Sequence, residues 1–156
     1  MKEEKKLMEY AVRLLAGRRY HSAEIRKKLR GRTDDFELAE NIIEKLKSYR
    51  YLDDAEYIRL YIADRLLLKP QGRRLIKNKL RQKNISSDEV DKQMDLMENR
   101  EYEMASLAAQ KKIKSLKNES PQKRKEKLYR FLVSRGFENG AIVNAVKTHF
   151  DPLQNQ

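Results

Sequence analysis

The sequence predicts an all-α fold, drawn out as an elongated tandem array of three three-helix repeats, and three observations predict it. Five Gly and three Pro in 156 residues are too few for the turns of an all-β fold. Lys, Glu, Leu, Arg and Ala, which are strong helix formers, dominate instead. Leu29, Leu80 and Leu132 recur 51 and 52 residues apart at the same place in short helical segments, as in repeats whose units touch mainly their neighbours. Charged residues reach 38% against 39% apolar. That balance is too polar for one compact sphere of this length, which would hide most of its surface.

The elements follow in order. Leu7, Ala11, Leu14 and Leu15 form an apolar stripe that stops at Gly17, a residue suited to a left-handed helix terminus. Ser22 opens a short helix carrying Ile25 and Leu29, closed by Gly31. Asp34 and Glu37 make a capping-box pair ahead of Leu38, Ile42, Leu46 and Tyr49. Asp53 and Glu56 repeat the pair before Tyr57, Leu60, Tyr61 and the apolar run Leu66 to Leu68, which Pro70 and Gly72 break. Leu75, Ile76 and Leu80 mark the next helix, closed near Asn84. Ser86 and Glu89 then cap a helix with Val90, Met94 and Met97. Met104, Leu107, Ala108, Ile113 and Leu116 follow. Ser120-Pro121 is an N-cap with Pro at the first helical position, leading to Leu128, Phe131 and Leu132, with Gly136 as terminator. Ala141, Ile142, Ala145 and Val146 supply a last helix.

These nine segments divide as 1–52, 53–100 and 101–150, with a loose tail at 151–156. Ten residues after the recurring leucine stand Val90 and Ile142, and fourteen after it stand Met94 and Val146. In the first unit the comparable pair, Ile42 and Leu46, comes three residues later, as a longer turn would produce.

Cysteine is absent, so disulfides and thiolate metal sites are excluded. No apolar run approaches a membrane span and no signal-peptide core opens the chain. The expectation is a cytoplasmic protein that does not contact membranes.

The net charge of +12 predicts a polyanionic partner. It is concentrated on the second helix of each unit. Arg18 to Arg32 holds seven positive residues and one acid, Lys69 to Lys83 seven and none, and Lys111 to Arg130 nine and two. Acids gather at Asp34 to Glu44, Asp53 to Asp64 and Asp88 to Glu103. At about 100° per residue, Arg74, Lys77 and Arg81 share one side, opposite Leu75, Ile76 and Leu80, with Arg73 beside them. Lys123, Lys127 and Arg130 lie opposite Leu128, Phe131 and Leu132. Arg26, Lys27 and Arg30 lie outside Ile25 and Leu29. Outward charges on any helix would explain a mixed face, but an acid-free one repels itself. These three ridges are therefore the candidate binding residues, suited to phosphate contact rather than base reading.

No catalytic site is predicted. There is no phosphate-binding glycine loop and no His-Glu-x-x-His pattern, and His21 and His149 sit far apart as surface or cap residues. Asp53-Asp54 reads as a helix start rather than a magnesium pair. No cofactor or metal is expected.

Several strings resemble the RecX family. Ala11-Val12-Arg13-Leu14-Leu15, then Arg19-Tyr20-His21-Ser22 and Glu24-Ile25, resemble its opening. Tyr51-Leu52-Asp53-Asp54 with Tyr57 is similar to its most recognisable signature. Lys69 to Ile76 and Leu80 to Ile85 resemble the following motif, and Arg135-Gly136-Phe137 with Ile142 and Ala145 its ending. The likeness spans residues 7 to 150. Asn84 stands where the family commonly has Gly, and Ile58 where it often has Ala. The resemblance implies a curved array of three-helix repeats. It also implies a monomer that binds RecA and its filament on single-stranded DNA, lowering RecA ATPase, strand exchange and coprotease activity. Direct nucleic-acid binding would be weaker. A general helical DNA- or RNA-binding accessory protein, or an adaptor for an acidic protein, would fit the charge alone.

Overall fold

The structure, a computed structural model, describes residues 2–96 and 100–150, and the side chains of all of these but 66–68. Met97 and the expected tail 151–156 lie outside the described residues. Among the described residues there are nine helices and no strand: α1 (Lys2–Gly17), α2 (Ser22–Arg30), α3 (Phe36–Ser48), α4 (Asp54–Leu68), α5 (Arg73–Arg81), α6 (Ser87–Leu96), α7 (Glu101–Lys114), α8 (Pro121–Ser134) and α9 (Asn139–Phe150).

Short polar side chains set the helix starts by taking orphan backbone N–H groups, each cap contributing about 1 kcal/mol. Asp53 accepts from the Glu56 amide at 3.1 Å, Ser86 from Glu89 at 3.2 Å and Ser120 from Lys123 at 3.3 Å, with Pro121 opening α8. Two starts differ from the sequence reading. The α3 cap is Asp35, not Asp34, because the Thr33 hydroxyl takes the Asp35 amide at 3.1 Å and turns its carboxylate onto Leu38 at 3.0 Å. For α2 the cap is His21: its Nδ1 accepts from the Ala23 amide at 3.0 Å, and Glu24 reciprocally accepts from the His21 amide at 3.1 Å. His21 is 3% exposed, so of the two expected roles it is a cap and not a surface residue.

The helix ends repeat as well. After α5 the Ile85 amide donates back to Leu80 O at 3.1 Å, and after α8 the Phe137 amide donates to Leu132 O at 3.4 Å. Between them stand Asn84 at φ 64° and Gly136 at φ 82°, the left-handed residues that such reversals need. Asn can occupy this region because its short polar side chain satisfies itself locally. Gly17 is not left-handed. Hydrogen bonding continues past it, from the Arg18 amide to Leu14 O, and the comparable kink comes after α3 at Arg50, φ 64°.

Three separate cores result. Leu7, Ala11, Ile25, Leu29, Ala39, Ile42, Ile43, Leu46 and Leu52 form one. Tyr57, Ile58, Ile62, Ile76, Leu80, Ile85 and Val90 form the second, which Ala23 of α2 also enters. The third joins Met104, Ala105, Ala108 and Ala109 of α7 to Leu116, Leu128, Leu132, Phe137, Ala141, Ile142 and Ala145. The recurring Leu29, Leu80 and Leu132 are all fully buried, each contributing about 2 kcal/mol of transfer free energy. Ile58, in place of a smaller residue, packs without leaving the second core. Helices pack chiefly within their own trio. The chain exposes 10406 Å², against about 8,200 Å² for a compact monomer of its mass. An array of three thin cores exposes more surface than one compact body does.

Candidate nucleic-acid and protein interface

The three basic ridges come from α2, α5 and α8, but their charges are not equivalent. Arg26 is ion-paired to Glu40 of α3, and Arg30 lies 3.6 Å from the same carboxylate and over the Phe36 ring. Arg73 reaches Asp91 and Asp95 of α6 at 2.8 and 2.9 Å, and Lys77 reaches Asp91 at 3.0 Å. Arg74 donates to the Val133 carbonyl at 2.9 Å and Arg81 to the Ser87 hydroxyl at 3.0 Å. Lys127 pairs with Glu119. Lys27, Lys123 and Arg130 are exposed and make no ion pair among the described residues.

Arg26–Glu40 and Lys77–Asp91 are the same contact one repeat apart. Each joins residues fourteen apart, and both members shift by 51, so the longer turn expected in the first unit is absent: residues 31–35 and 82–86 are links of equal length. The acidic third helix therefore answers the basic second helix inside the first two units. Hydrogen bonds from Arg73, then Lys77, hold the Asp91 carboxyl below its ordinary range, and the Arg26 hydrogen bond does the same for Glu40. In the third unit the equivalent α8 position is Tyr129, whose hydroxyl donates to Asn139 at 3.2 Å. The α8 ridge thus lacks an acidic partner helix.

One group among the described residues has metal-ligating chemistry: His21, Asp54 and Glu89, whose ligand atoms lie within 4.8 Å of one another. The His21 Nδ1 accepts the Ala23 amide, which assigns the ring proton to Nε2. That nitrogen faces Glu89 at 3.2 Å and Asp54 at 3.5 Å as a donor, with its lone pair unavailable to a metal. Asp54 also accepts the Ser22 amide, at 2.7 Å, and the Ser22 hydroxyl. The cluster is thus a joint between the first and second units, with Tyr57 edge-on to His21 at 5.8 Å. Asp53 and Asp54 point to different tasks, one capping α4 and the other crossing to α2.

A cationic hollow that the sequence reading did not single out lies between the second and third units. Lys69 and Pro70, Ala108, Lys111, Lys112 and Ser115, with Phe131 and Arg135, line a hollow of about 250 Å³ with no acid among the described residues of its wall. Lys112 and Arg135 stand 5.2 and 5.1 Å from the Phe131 ring centre. Burial, then the nearby charges of Arg65, Lys69 and Arg135, lowers the Lys79 pKa. Lys69, Lys111 and Lys112 belonged to basic runs in the sequence, and Arg135 lay beyond them. Their convergence across 66 positions is a tertiary fact that no helix periodicity displays.

Comparison with known proteins matches residues 53–93 to the second three-helix domain of RecX and 99–146 to the third. The chain is 32% identical over 145 residues to the regulatory protein RecX of Clostridium botulinum, covering 91% of this chain and 68% of that protein. It is 32% identical over 140 residues to the regulatory protein RecX of Chlorobaculum tepidum, covering 90% and 86%. Its fold is similar to the crystal structure of RecX from Lactobacillus salivarius, with a TM-score of 0.86 at 20% identity over 96% of this chain and 97% of that one.

Proposed function

The chain belongs to the RecX family of regulatory proteins, and from that premise we propose that it binds RecA and the RecA filament on single-stranded DNA. It would lower ATPase, recombinase and coprotease activity there, and so regulate DNA repair and recombination in the cytoplasm. The observation that carries the proposal is the similarity to RecX regulatory proteins along nine-tenths of the chain. We read the action as stoichiometric occupancy by a monomer rather than catalysis, with units at 1–52, 53–100 and 101–150 laid across neighbouring RecA subunits.

Among the ridge residues, Lys27, Lys123 and Arg130 suit intermolecular contact, since they have no internal ion pair to give up. Replacing Arg74, Lys77 and Arg81 would test binding and internal packing together, because Arg74 and Lys77 hold Val133 and Asp91. The discriminating experiment measures RecA ATPase on single-stranded DNA with the wild-type chain and with Lys27→Glu, Lys123→Glu and Arg130→Glu combined. Inhibition by wild type that weakens in the triple variant is expected. A wild-type chain that leaves ATPase untouched would overturn the regulatory role.

The net charge of +12 favours a second reading, a general nucleic-acid-binding accessory protein. Tight, steeply salt-dependent binding to bare DNA, no stronger when RecA is present, would select it.

A further inference from the structure

We propose that the hollow between the second and third units, walled by Lys69, Lys111, Lys112 and Arg135 around Phe131, is a clamp for the phosphodiester backbone of single-stranded nucleic acid. The inference deepens the proposed function by placing the DNA-facing contact, and it rests on that function only for the biological setting.

Four cations from three chain segments, the turn after α4, α7, and the turn after α8, face one small space. On the α2 and α5 ridges the innermost cations are answered by acids, Arg26 by Glu40 and Arg73 by Asp91. Here no carboxylate lines the wall among the described residues. Nearby, burial and then like charges on Arg65, Lys69 and Arg135 lower the Lys79 pKa. Mutual repulsion of this kind is relieved by an anion and by little else.

Main-chain contacts pin one edge of the hollow. Arg135 is held at its carbonyl by the Gly72 amide at 2.7 Å, and Gly72 and Gly136 pack backbone to backbone. The backbone at Arg135 is therefore fixed, and the Lys112 and Arg135 side chains lie against the Phe131 ring at 5.2 and 5.1 Å from its centre.

A linear polyanion fits better than a single carboxylate because the hollow continues. Lys112, Ser115 and Phe131 also line a second, more open depression that runs to Lys127 and Arg130. Its one acid, Glu119, is already paired with Lys127. Successive phosphates could meet Lys69 and Arg135, then Lys111 and Lys112, then Arg130. A side-chain carboxylate would satisfy one of these and leave the rest unbalanced.

The test uses the full chain and a fluorescently labelled oligothymidylate, read by anisotropy across a salt series without RecA. Lys69 and Lys111 are exposed, so Lys69→Gln with Lys111→Gln leaves the fold intact, which an unchanged thermal melt verifies. The expected result is affinity lower by roughly tenfold, with a log–log salt slope shallower by about 1.4, the value for two lost contacts on a single strand. Lys5→Gln with Lys6→Gln, on α1 and far along the chain, should leave both unchanged. Equal losses in the two double variants would mean diffuse charge and overturn the clamp, as would oligonucleotide binding identical to wild type. Oligonucleotide binding identical to wild type together with lost capture of RecA free of DNA would also overturn it, and would assign the hollow to an acidic protein surface. RecA ATPase measured in parallel separates the two claims, because a wild-type chain that inhibits RecA while the clamp fails leaves the regulatory role standing.

Discussion

Gly72 and Gly136 meet backbone against backbone: a methyl group on Gly72 would lie 2.2 Å from the Gly136 carbonyl oxygen. The Gly72 amide donates to Arg135 O at 2.7 Å and the Arg74 amide to Gly136 O at 3.2 Å. The second and third units are thus spliced through main chain, which no side-chain pattern could specify. Gly72→Ala forces the splice open, losing two hydrogen bonds and a close contact. A destabilisation of about 2–4 kcal/mol is expected. Gly17→Ala, where a new methyl meets nothing within 4 Å, should instead stabilise α1 by roughly 0.5 kcal/mol. Urea midpoints of the two variants decide the matter, and shifts in the same direction would contradict the splice.

Asn84 and Gly136 hold the same left-handed position after the second helix of successive units, at φ 64° and 82°. Replacing Asn84 by Gly should be neutral or mildly stabilising. Replacing it by Val should cost about 1–2 kcal/mol, because a β-branched side chain clashes with its own backbone there. Ile85 follows it into the core and would move with it. Thermal unfolding of the two variants provides the comparison, and equal Tm values would argue against a strained turn.

The array was legible because its determinants are local. Leu29, Leu80 and Leu132 mark the period, and Asp53, Ser86 and Ser120 announce helix starts through short-range hydrogen bonds. Asp34 was read in place of Asp35 because the shift depends on the Thr33 hydroxyl, one residue before the pair. The ridges were visible as charge runs, but which cations remain available was not. Arg26 and Glu40 lie on different helices, and only the α2–α3 packing brings them together. The hollow at Lys69, Lys111 and Arg135 needed three elements to converge. Periodicity reports one helix at a time, so contacts between helices stay hidden from it.

Acid and neutral conditions should affect two carboxyl groups in opposite ways. Hydrogen bonds from Arg73 and Lys77 lower the pKa of Asp91. Its contribution is therefore present above the ordinary carboxylate value and lost as pH falls through the lower folded value. Burial, only partly offset by amides of Glu138 and Arg73, raises that of Glu101. Its contribution is present below the ordinary value and lost as pH rises through the higher folded one. Asp91→Asn should destabilise at about pH 7 by no more than about 1 kcal/mol and have less effect near about pH 3, since the pair is partly exposed. Glu101→Gln should stabilise at neutral pH and be nearly silent in acid. Urea titrations at both pH values check the two signs independently.

The joint between the first and second units offers a sharper energetic test. The Asp54 carboxylate takes both the amide and the hydroxyl of Ser22, while His21 caps α2 through Nδ1 and faces Asp54 and Glu89 through Nε2. If these groups act as one network, their single substitutions should not add. Ser22→Ala removes one donor but leaves the amide bond, so about 1 kcal/mol is expected. Asp54→Asn leaves one oxygen to accept, weakens both bonds and should cost about 1–3 kcal/mol at this half-buried site. In the double variant the hydroxyl contact can be lost only once, so the combined cost should fall short of the sum by about 0.5–1.5 kcal/mol. His21→Asn supplies a control, since Asn is itself a good N-cap and keeps the Ala23 contact. It should leave α2 capped while losing the reach to Glu89 and the edge of Tyr57. Strict additivity between Ser22 and Asp54 would mean that the two groups contribute independently, and that the seam is held instead by Ala23 in the second core and by the Lys83–Glu24 ion pair.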